Sequence, residues 1–161
     1  MHRKFPETPS EISHASLLRR LVAMLYDALI CVALLMVTTG IYMATSASIM
    51  GTEKYQQLTE SGGTLHDPLL SSLLFVVLYM FFGYFWTRTG QTLGMQVWHI
   101  RIQNPDGTSI SWMQALMRFF MAGIAMGCAG LGYLWMFIDK GKLTWQDRFS
   151  DTRTVRIPKR K

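Results

Sequence analysis

Charged side chains are scarce in this sequence of 161 residues: Asp, Glu, Lys and Arg make up 16% of it, against about 25% in a typical soluble domain. Cysteine is scarcer still, since Cys31 and Cys128 form no CxxC pair and lie in hydrophobic runs, where we expect them to pack as small side chains. The four histidines have no partners at metal-site spacing, and no nucleophile and base pair is recognisable. These shortages exclude a disulfide-built scaffold. We expect no metal, no cofactor and no enzyme activity.

Hydrophobic residues account for 50% of the chain and gather in three long runs. These are residues 21–39, which only Asp27 interrupts, and the uncharged runs 69–86 and 119–138. A membrane helix needs about 20 such residues, at about 1.5 Å each, to cover a hydrocarbon core of about 30 Å. We therefore predict an all-α integral membrane protein with two full transmembrane helices and a third hydrophobic segment.

Two short stretches alternate in the manner of β-strands. Residues 96–103 (QVWHIRIQ) are rich in β-branched side chains and lead into the turn sequence NPDG, and residues 152–157 (TRTVRI) alternate in the same way. Short strands seldom persist alone. We therefore predict that the two stretches pair outside the membrane as a short cytosolic two-stranded β flap.

The basic residues set the expected orientation, because Lys and Arg favour the cytoplasmic side of a membrane. They gather before the first run, between the second and third runs, and after the third. Three full crossings would place the basic residues after the third run on the opposite side of the membrane from those before the first run. The third segment is therefore expected to re-enter as a pair of half-length helices, for which GCAGLG at residues 127–132 offers glycines, although a single span fits its length. Both termini are then cytoplasmic.

The net charge of +6 is interpreted in the same way. Basic residues that flank membrane spans are typical topology signals and contacts to anionic lipid headgroups, so we expect the lipid bilayer as a partner and no nucleic acid. Two or three helices scarcely enclose a transport pathway. A homo-oligomer or a membrane-protein partner is therefore also expected.

Asp27 poses the main electrostatic question of the sequence. Arg20, Ala23 and Asp27 follow one another at positions i, i+3 and i+7, so they share one helix face. An ionised carboxylate at membrane depth costs several kcal/mol unless a partner or water reaches it. We predict Arg118 as its partner, because a guanidinium can bind a carboxylate through two hydrogen bonds and stays charged in apolar surroundings. A structural ion pair is favoured over a transport site.

Four stretches of the sequence occur in the order seen in one family of membrane proteins. They are RRLVAMLYD, GQTLGMQVWHIRIQNPDG, MRFF and DKGKLTWQDRFSDTRTV. Over Leu18 to Val155 the chain thus resembles the RDD family, which is named for an arginine and two aspartates. The fourth stretch departs from the family pattern in "SDT", and Met95 stands where many relatives have lysine. Both departures argue against an anion bound at the glycine turn.

The resemblance assigns roles to individual residues. Arg20 corresponds to the family arginine and Asp27 to the early membrane aspartate. The remaining assignments are the turn motif of Gly90, Thr92 and Gly94, the tail aspartates Asp139 and Asp147, and Thr152, which closes the tail motif with Asp147. The predicted intramembrane charge network consists of Arg20, Asp27, Arg118, Asp139 and Asp147.

The resemblance also implies a location and candidate roles. It implies a multi-pass protein of the bacterial inner (plasma) membrane. We divide the chain into a leader over residues 1–16, expected to be flexible because it has prolines, mixed charges and no apolar period, an RDD-like membrane domain over 17–157 and a basic tail over 158–161. Our first hypothesis is a membrane interaction or assembly component that uses the charge network for its own architecture. The alternative is a secondary transporter that works as an oligomer, since cation/proton antiport has been proposed for some members of the family.

Overall fold

The computed structural model describes residues 3–8, 10–63 and 67–158. In chain order its elements are β1 (Ser13–His14), α1 (Leu17–Met50), α2 (Thr52–Glu60), α3 (Pro68–Arg88), α4 (Leu93–Val97), β2 (Ile100–Gln103), α5 (Trp112–Gly127), α6 (Leu131–Leu134) with a 3₁₀ turn at Trp135–Phe137, α7 (Trp145–Phe149) and β3 (Arg153–Arg156). The chain divides into two compact units, Met1–Asp27 with Phe81–Lys161 and Ala28–Met80.

Two helical stretches, Leu17–Met50 and Pro68–Val97, are long and apolar enough to cross a membrane. They confirm the two predicted spans. The first has 34 residues, which corresponds to about 50 Å of helix and exceeds the roughly 30 Å of a hydrocarbon core. It ends before Gly51, whose positive φ of 87° suits the glycine that commonly follows a helix.

The third hydrophobic segment is a bent pair of helices. Helix α5 and the helical stretch Leu131–Phe137 meet at an angle of 108°, across a break where Ala129 and Gly130 have positive φ values of 54° and 79°. The break falls within the predicted glycine-rich reversal. With 16 residues, α5 measures about 24 Å, less than the hydrocarbon core. The pair is either one broken span or a re-entrant loop.

The β-structure is a three-stranded antiparallel sheet with the order β1-β3-β2. Residues Ile100 to Gln103 pair with Arg156 to Arg153, which confirms the predicted pairing. Strand β2 is shorter than the predicted stretch 96–103, because Gln96 and Val97 belong to α4. The predicted count of two strands is wrong, because Ser13 and His14 add a third strand on the other side of β3. A strand of two residues is too short to show alternation in a sequence.

The hydrophobic core of the first unit, Met1–Asp27 with Phe81–Lys161, includes side chains of the sheet. Ile100 and Ile102 of β2 are buried with Trp86 at the end of α3 and Met95 of α4. Small side chains from α1 and α5 complete the cluster, Ala23 and Ala115 among them. The sheet is therefore held against the ends of the membrane helices by apolar packing, and the polar cluster described below belongs to the same unit.

The leader makes defined contacts in its described part. The backbone N–H of Ser109 donates to the carbonyl of Arg3 at 2.8 Å, and that of Phe5 donates to the carbonyl of Gly107 at 3.0 Å. Glu7 pairs with the buried Arg101 at 2.7 Å, and the Phe5 ring centre lies 4.0 Å from the same guanidinium. The sequence predicted a flexible leader and did not indicate these contacts. Residues 1, 2 and 9 of the leader, and 159–161 of the predicted basic tail, lie outside the described residues.

The second unit, Ala28–Met80, contains most of α1, all of α2 and the first part of α3. Asp67 immediately precedes α3, and its carboxylate accepts a hydrogen bond from the backbone N–H of Leu69 at 2.9 Å and another from the Tyr42 hydroxyl. Pro68 follows as the first helical residue, where its missing N–H has no intrahelical partner to lose. The hydroxyl of Tyr42 thus links α1 to the start of α3 within this unit.

Candidate functional site

Among the residues that the structure describes, the most completely buried charged group is the Asp147 carboxylate, with none of its side chain exposed. It lies in the first turn of α7, and Thr144 precedes that helix as its N-cap. The Thr144 hydroxyl donates to Oδ2 of Asp147 at 2.9 Å, and the Thr144 backbone N–H donates to the same oxygen at 3.3 Å. A capping threonine and an acidic side chain three residues later therefore define this corner of the chain.

Two arginines bind Asp147 from different helices. Nη1 of Arg20, in the first turn of α1, lies 2.6 Å from Oδ2, and Nη1 of Arg118, in α5, lies 2.8 Å from Oδ1. Each carboxylate oxygen therefore has its own guanidinium. Both arginine side chains are about 95% buried, so these are buried charge-assisted hydrogen bonds, a class that is stronger than hydrogen bonds between neutral groups.

Backbone and threonine oxygens accept hydrogen bonds from other donors of the two guanidinium groups, and Nε of Arg118 is buried without a hydrogen-bond partner among the described residues. Nε of Arg20 donates to the carbonyl of Ala15 at 3.2 Å, and its Nη2 donates to the carbonyl of Thr154, also at 3.2 Å. Arg118 donates to the hydroxyl of Thr152 and, at 3.3 Å, to that of Thr154. The cluster thereby ties α1, α5, α7 and β3 together.

The charges of the cluster do not cancel. Two guanidinium groups surround one carboxylate, which leaves one net positive charge. Burial by itself raises the pKa of Asp147, but the charges and hydrogen bonds of Arg118 and Arg20 outweigh it and hold that pKa well below its ordinary value. The guanidinium of Arg118 also lies 5.7 Å from the centre of the Trp86 ring, within the range of a cation–π contact.

Asp27 lies in a different environment, although its exposure is only 4%. Its Oδ2 accepts a hydrogen bond from the Thr92 hydroxyl at 2.5 Å, and its Oδ1 accepts one from the backbone N–H of Gly94 at 2.9 Å. Both donors are neutral and belong to the start of α4. Among the described residues Asp27 forms no ion pair.

The turn motif of Gly90, Thr92 and Gly94 brings two hydrogen-bond donors to the Asp27 carboxylate. Thr92 is the N-cap of α4 and accepts a hydrogen bond from the backbone N–H of Met95. A side chain at Gly94 would overlap the carbonyl oxygen of Ala23, and one at Gly90 would overlap that of Ile102. Gly90 also has a positive φ of 70°. Gly94 therefore permits the turn to pack directly onto α1, and Gly90 permits it to approach the backbone of β2.

The predicted pair of Asp27 with Arg118 is wrong. Arg118 binds Asp147 instead, and the turn at Thr92 and Gly94 satisfies the Asp27 carboxylate. A carboxylate needs enough hydrogen-bond donors when it is buried, and neutral donors supply them here. The structure brings together three of the five predicted network residues, Arg20, Arg118 and Asp147.

Asp139 lies outside the cluster and forms a local pair. Its carboxylate is 2.7 Å from Nη1 of Arg148, whose side chain is 63% exposed. It also accepts hydrogen bonds from the backbone N–H groups of Gly141 at 2.9 Å and Leu143 at 3.1 Å. Asp139 therefore stabilises the turn before α7 through the two backbone N–H groups, and its ion pair with Arg148 is local.

Sequence reasoning missed Thr144 and Thr154 and placed Thr152 only through the family motif. The spacing of Thr144 to Asp147 is that of a capping box, a signal that could have identified the first. Thr152, just before β3, and Thr154, within it, are two residues apart, and both are buried. No group of three His, Cys, Asp or Glu side chains that could hold a metal occurs among the described residues.

Comparison with known proteins identifies the family of this architecture. The RDD family model matches residues 14–151, which include both buried aspartates, the turn motif and the two clustered arginines. No curated protein and no solved structure has a significant match to the chain. Because the match covers most of the sequence and contains the three charged residues of the buried cluster, the chain belongs to the RDD family of membrane proteins.

Proposed function

We propose that this RDD family protein is a membrane interaction or assembly component whose buried cluster serves its own architecture. The observation that carries the proposal is the closure of the Asp147 site. Both oxygens of Asp147 are occupied by arginines and threonines, and its side chain has no exposed surface. A transported ion would have to displace these partners, so the cluster is better suited to fixing the helices than to passing a substrate. No catalytic step forms part of this proposal.

The proposed orientation places the sheet on the cytoplasmic face of a bacterial inner membrane. Strand β1 precedes the first span and β2 follows the second, and because they share a sheet they must lie on the same side. Strand β2 also precedes the bent pair and β3 follows it. These pairings support a re-entrant loop, with both ends of the chain on the side of the sheet. The basic residues that precede the first span and follow the bent pair favour the cytoplasm as that side.

Labelling tests this orientation. A single cysteine introduced at Thr108, between the sheet and α5, and another at Pro158, after β3, should both react with a membrane-impermeant maleimide only after the cells are opened. The native cysteines are replaced by alanine in both variants. Labelling of the Pro158 site in intact cells would contradict the re-entrant loop and the shared cytoplasmic side.

An interaction role also needs a surface for a second protein, and α5 offers one. Ile124 is 51% exposed, and a side chain added at Gly123 or Gly127 would meet no atom within 4 Å. Two small residues four positions apart allow membrane helices to approach closely. We propose that a second copy or another membrane protein packs there.

Photo-crosslinking tests the interaction role. A photoreactive amino acid at Ile124, activated in native membranes, should give one discrete protein adduct, identified by mass spectrometry as this chain or a defined partner. A matched probe at Leu29, which is 67% exposed on α1, is the comparison. Lipid adducts alone at Ile124 would contradict the interaction role.

One observation favours the transporter as the second candidate function. Asp27 is a buried carboxylate within the first span, and its hydrogen-bond partners, Thr92 and Gly94, are both neutral. Carboxylates in membrane helices frequently serve proton or cation pathways. For cation/proton antiport, Asp27→Asn should abolish pH-dependent cation flux in proteoliposomes while the protein stays abundant. Absence of flux with the wild-type protein would exclude this candidate and leave the interaction role.

A further inference from the structure

A cavity of about 300 Å³ opens between the start of α1 and the turn that follows the 3₁₀ helix. It is separate from the buried cluster of Arg20, Arg118 and Asp147. Its polar lining comes from His14, Ser16, Asp139 and Lys142. Its apolar lining comes from Leu17, Met136 and Phe137.

Both segments that line the cavity change from polar to apolar at that point. In the later segment, Phe137 and Ile138 are 71% and 75% exposed, and the charged stretch begins at the next residue, Asp139. In the earlier segment, Ser16 is exposed and polar, and Leu18, which is 69% exposed, follows within the first turn of α1. Exposed apolar side chains in a membrane protein face acyl chains, so the cavity lies at the level where acyl chains meet headgroups.

The charges that line the cavity leave a positive side chain available. The negative charge of Asp139 is compensated by Arg148 at 2.7 Å and by two backbone N–H groups. Lys142 forms no ion pair with any residue that the structure describes. A lysine ammonium is a compact charge that commonly binds phosphate, and His14 adds a side chain capable of donating a hydrogen bond.

We infer that this cavity binds one anionic phospholipid, whose phosphate contacts Lys142 and His14 and whose acyl chain begins along Leu17, Met136 and Phe137. A free phosphate ion shares the headgroup chemistry. The apolar lining selects the lipid, because an inorganic ion gains nothing from Met136 and Phe137. The site therefore fits an amphiphile that has its charge at one end.

Native mass spectrometry of the full chain tests the assignment. The protein is released from nanodiscs that contain equal amounts of phosphatidylglycerol and phosphatidylcholine, and the retained lipids are counted. We expect the wild-type protein to retain more phosphatidylglycerol than phosphatidylcholine. Lys142→Gln should lower that preference about five-fold, the size of one lysine contact to an anionic surface. The matched control is Lys140→Gln, two residues away and outside the cavity lining, which should keep the wild-type preference.

Three results would overturn the assignment. Equal losses in the two lysine variants would mean general attraction to a basic surface, and an unchanged Lys142→Gln variant would mean that the cavity holds no headgroup. Displacement of the retained lipid by excess inorganic phosphate would mean a phosphate site without lipid selectivity. Both lysines are exposed, so we expect both variants to fold, which their thermal unfolding in detergent checks.

Discussion

The two buried aspartates, Asp27 and Asp147, solve the same electrostatic problem in different ways. Asp147 is bound by two guanidinium groups at 2.6 and 2.8 Å. Asp27 is bound by a hydroxyl at 2.5 Å and a backbone N–H at 2.9 Å. Both carboxylates are at least 95% buried, yet only Asp147 has cationic partners among the described residues.

The difference shows that burial demands hydrogen-bond donors and does not by itself demand a countercharge. Asp27 faces the first turn of a short helix, where backbone N–H groups lack intrahelical partners, and Thr92 adds a hydroxyl. Asp147 is approached by arginines from α1 and α5, which bring their own cost of burial and need an anion. The hydrogen bonds of Asp27 hold the turn at Thr92 against α1, and the ion pairs of Asp147 join α1, α5, α7 and β3.

The largest expected effect comes from removing the charge of Asp147. Asp147→Asn leaves Arg20 and Arg118 buried without an anion, and breaking a buried ion pair from one side costs about 3–5 kcal/mol. We expect a large drop in the thermal unfolding temperature in detergent and in membrane abundance. The matched control is Asp139→Asn, which should cost about 0–1 kcal/mol because its partner Arg148 is 63% exposed. Equal losses in the two variants would contradict the account.

The same ion pairs predict how stability depends on pH. The pKa of Asp147 is lowered in the folded protein, whereas an unfolded aspartate titrates near about 3.9. The stability that Asp147 contributes is therefore complete above about pH 4 and declines as the pH falls toward the lower folded pKa. The difference in unfolding temperature between wild-type protein and Asp147→Asn should be constant above about pH 4 and shrink below that pH. A difference that shrinks already near neutral pH would speak against the ion pairs.

Removing the hydroxyl that binds Asp27 should have the next largest effect. Thr92→Val keeps the shape of a fully buried side chain but removes a donor to the carboxylate, which costs about 1.5–3 kcal/mol for a hydrogen bond to a charged group. Thr92→Ser keeps the hydroxyl and is the matched control. Unfolding temperatures in detergent should fall more for valine than for serine. Equal temperatures for the two variants would mean that the hydroxyl contributes nothing.

The close approach of the turn to α1 gives a smaller effect. In Gly94→Ala the new methyl group would overlap the carbonyl oxygen of Ala23, and such overpacking costs about 1–3 kcal/mol. Gly123→Ala is the matched control, since a methyl group there meets nothing within 4 Å. It should be neutral, or stabilise α5 by up to about 1 kcal/mol. If both variants unfold at the wild-type temperature, the turn does not pack onto α1 as described.

Local sequence patterns predicted the local structure well. The two apolar runs become helices that can span a membrane, parts of the two alternating stretches become β2 and β3, and the glycines at 127–132 mark the bend. These outcomes depend on neighbours in the sequence. The two-residue strand β1 depends on pairing with β3, far away in the chain, and its own two residues carry no pattern.

The three charged members of the buried cluster were predicted, but their pairing was not. Arg20, Arg118 and Asp147 were expected in one network, but the partner of Asp27 was chosen by depth and charge alone. Which side chains meet depends on how α7 returns to α1, a separation of 127 residues between Arg20 and Asp147. The capacity of a backbone turn to satisfy a carboxylate also has no charge pattern, so Thr92 and Gly94 were assigned only to a turn.

A double-mutant cycle in detergent tests the central claim most directly, that Arg118 is coupled to Asp147 and not to Asp27. Unfolding free energies are measured for Arg118→Gln, Asp147→Asn and Asp27→Asn, and for the two double variants that contain Arg118→Gln. We predict a coupling above about 1 kcal/mol between Arg118 and Asp147, and additivity within about 0.5 kcal/mol between Arg118 and Asp27. A strong coupling of Arg118 to Asp27, with additivity toward Asp147, would contradict the account.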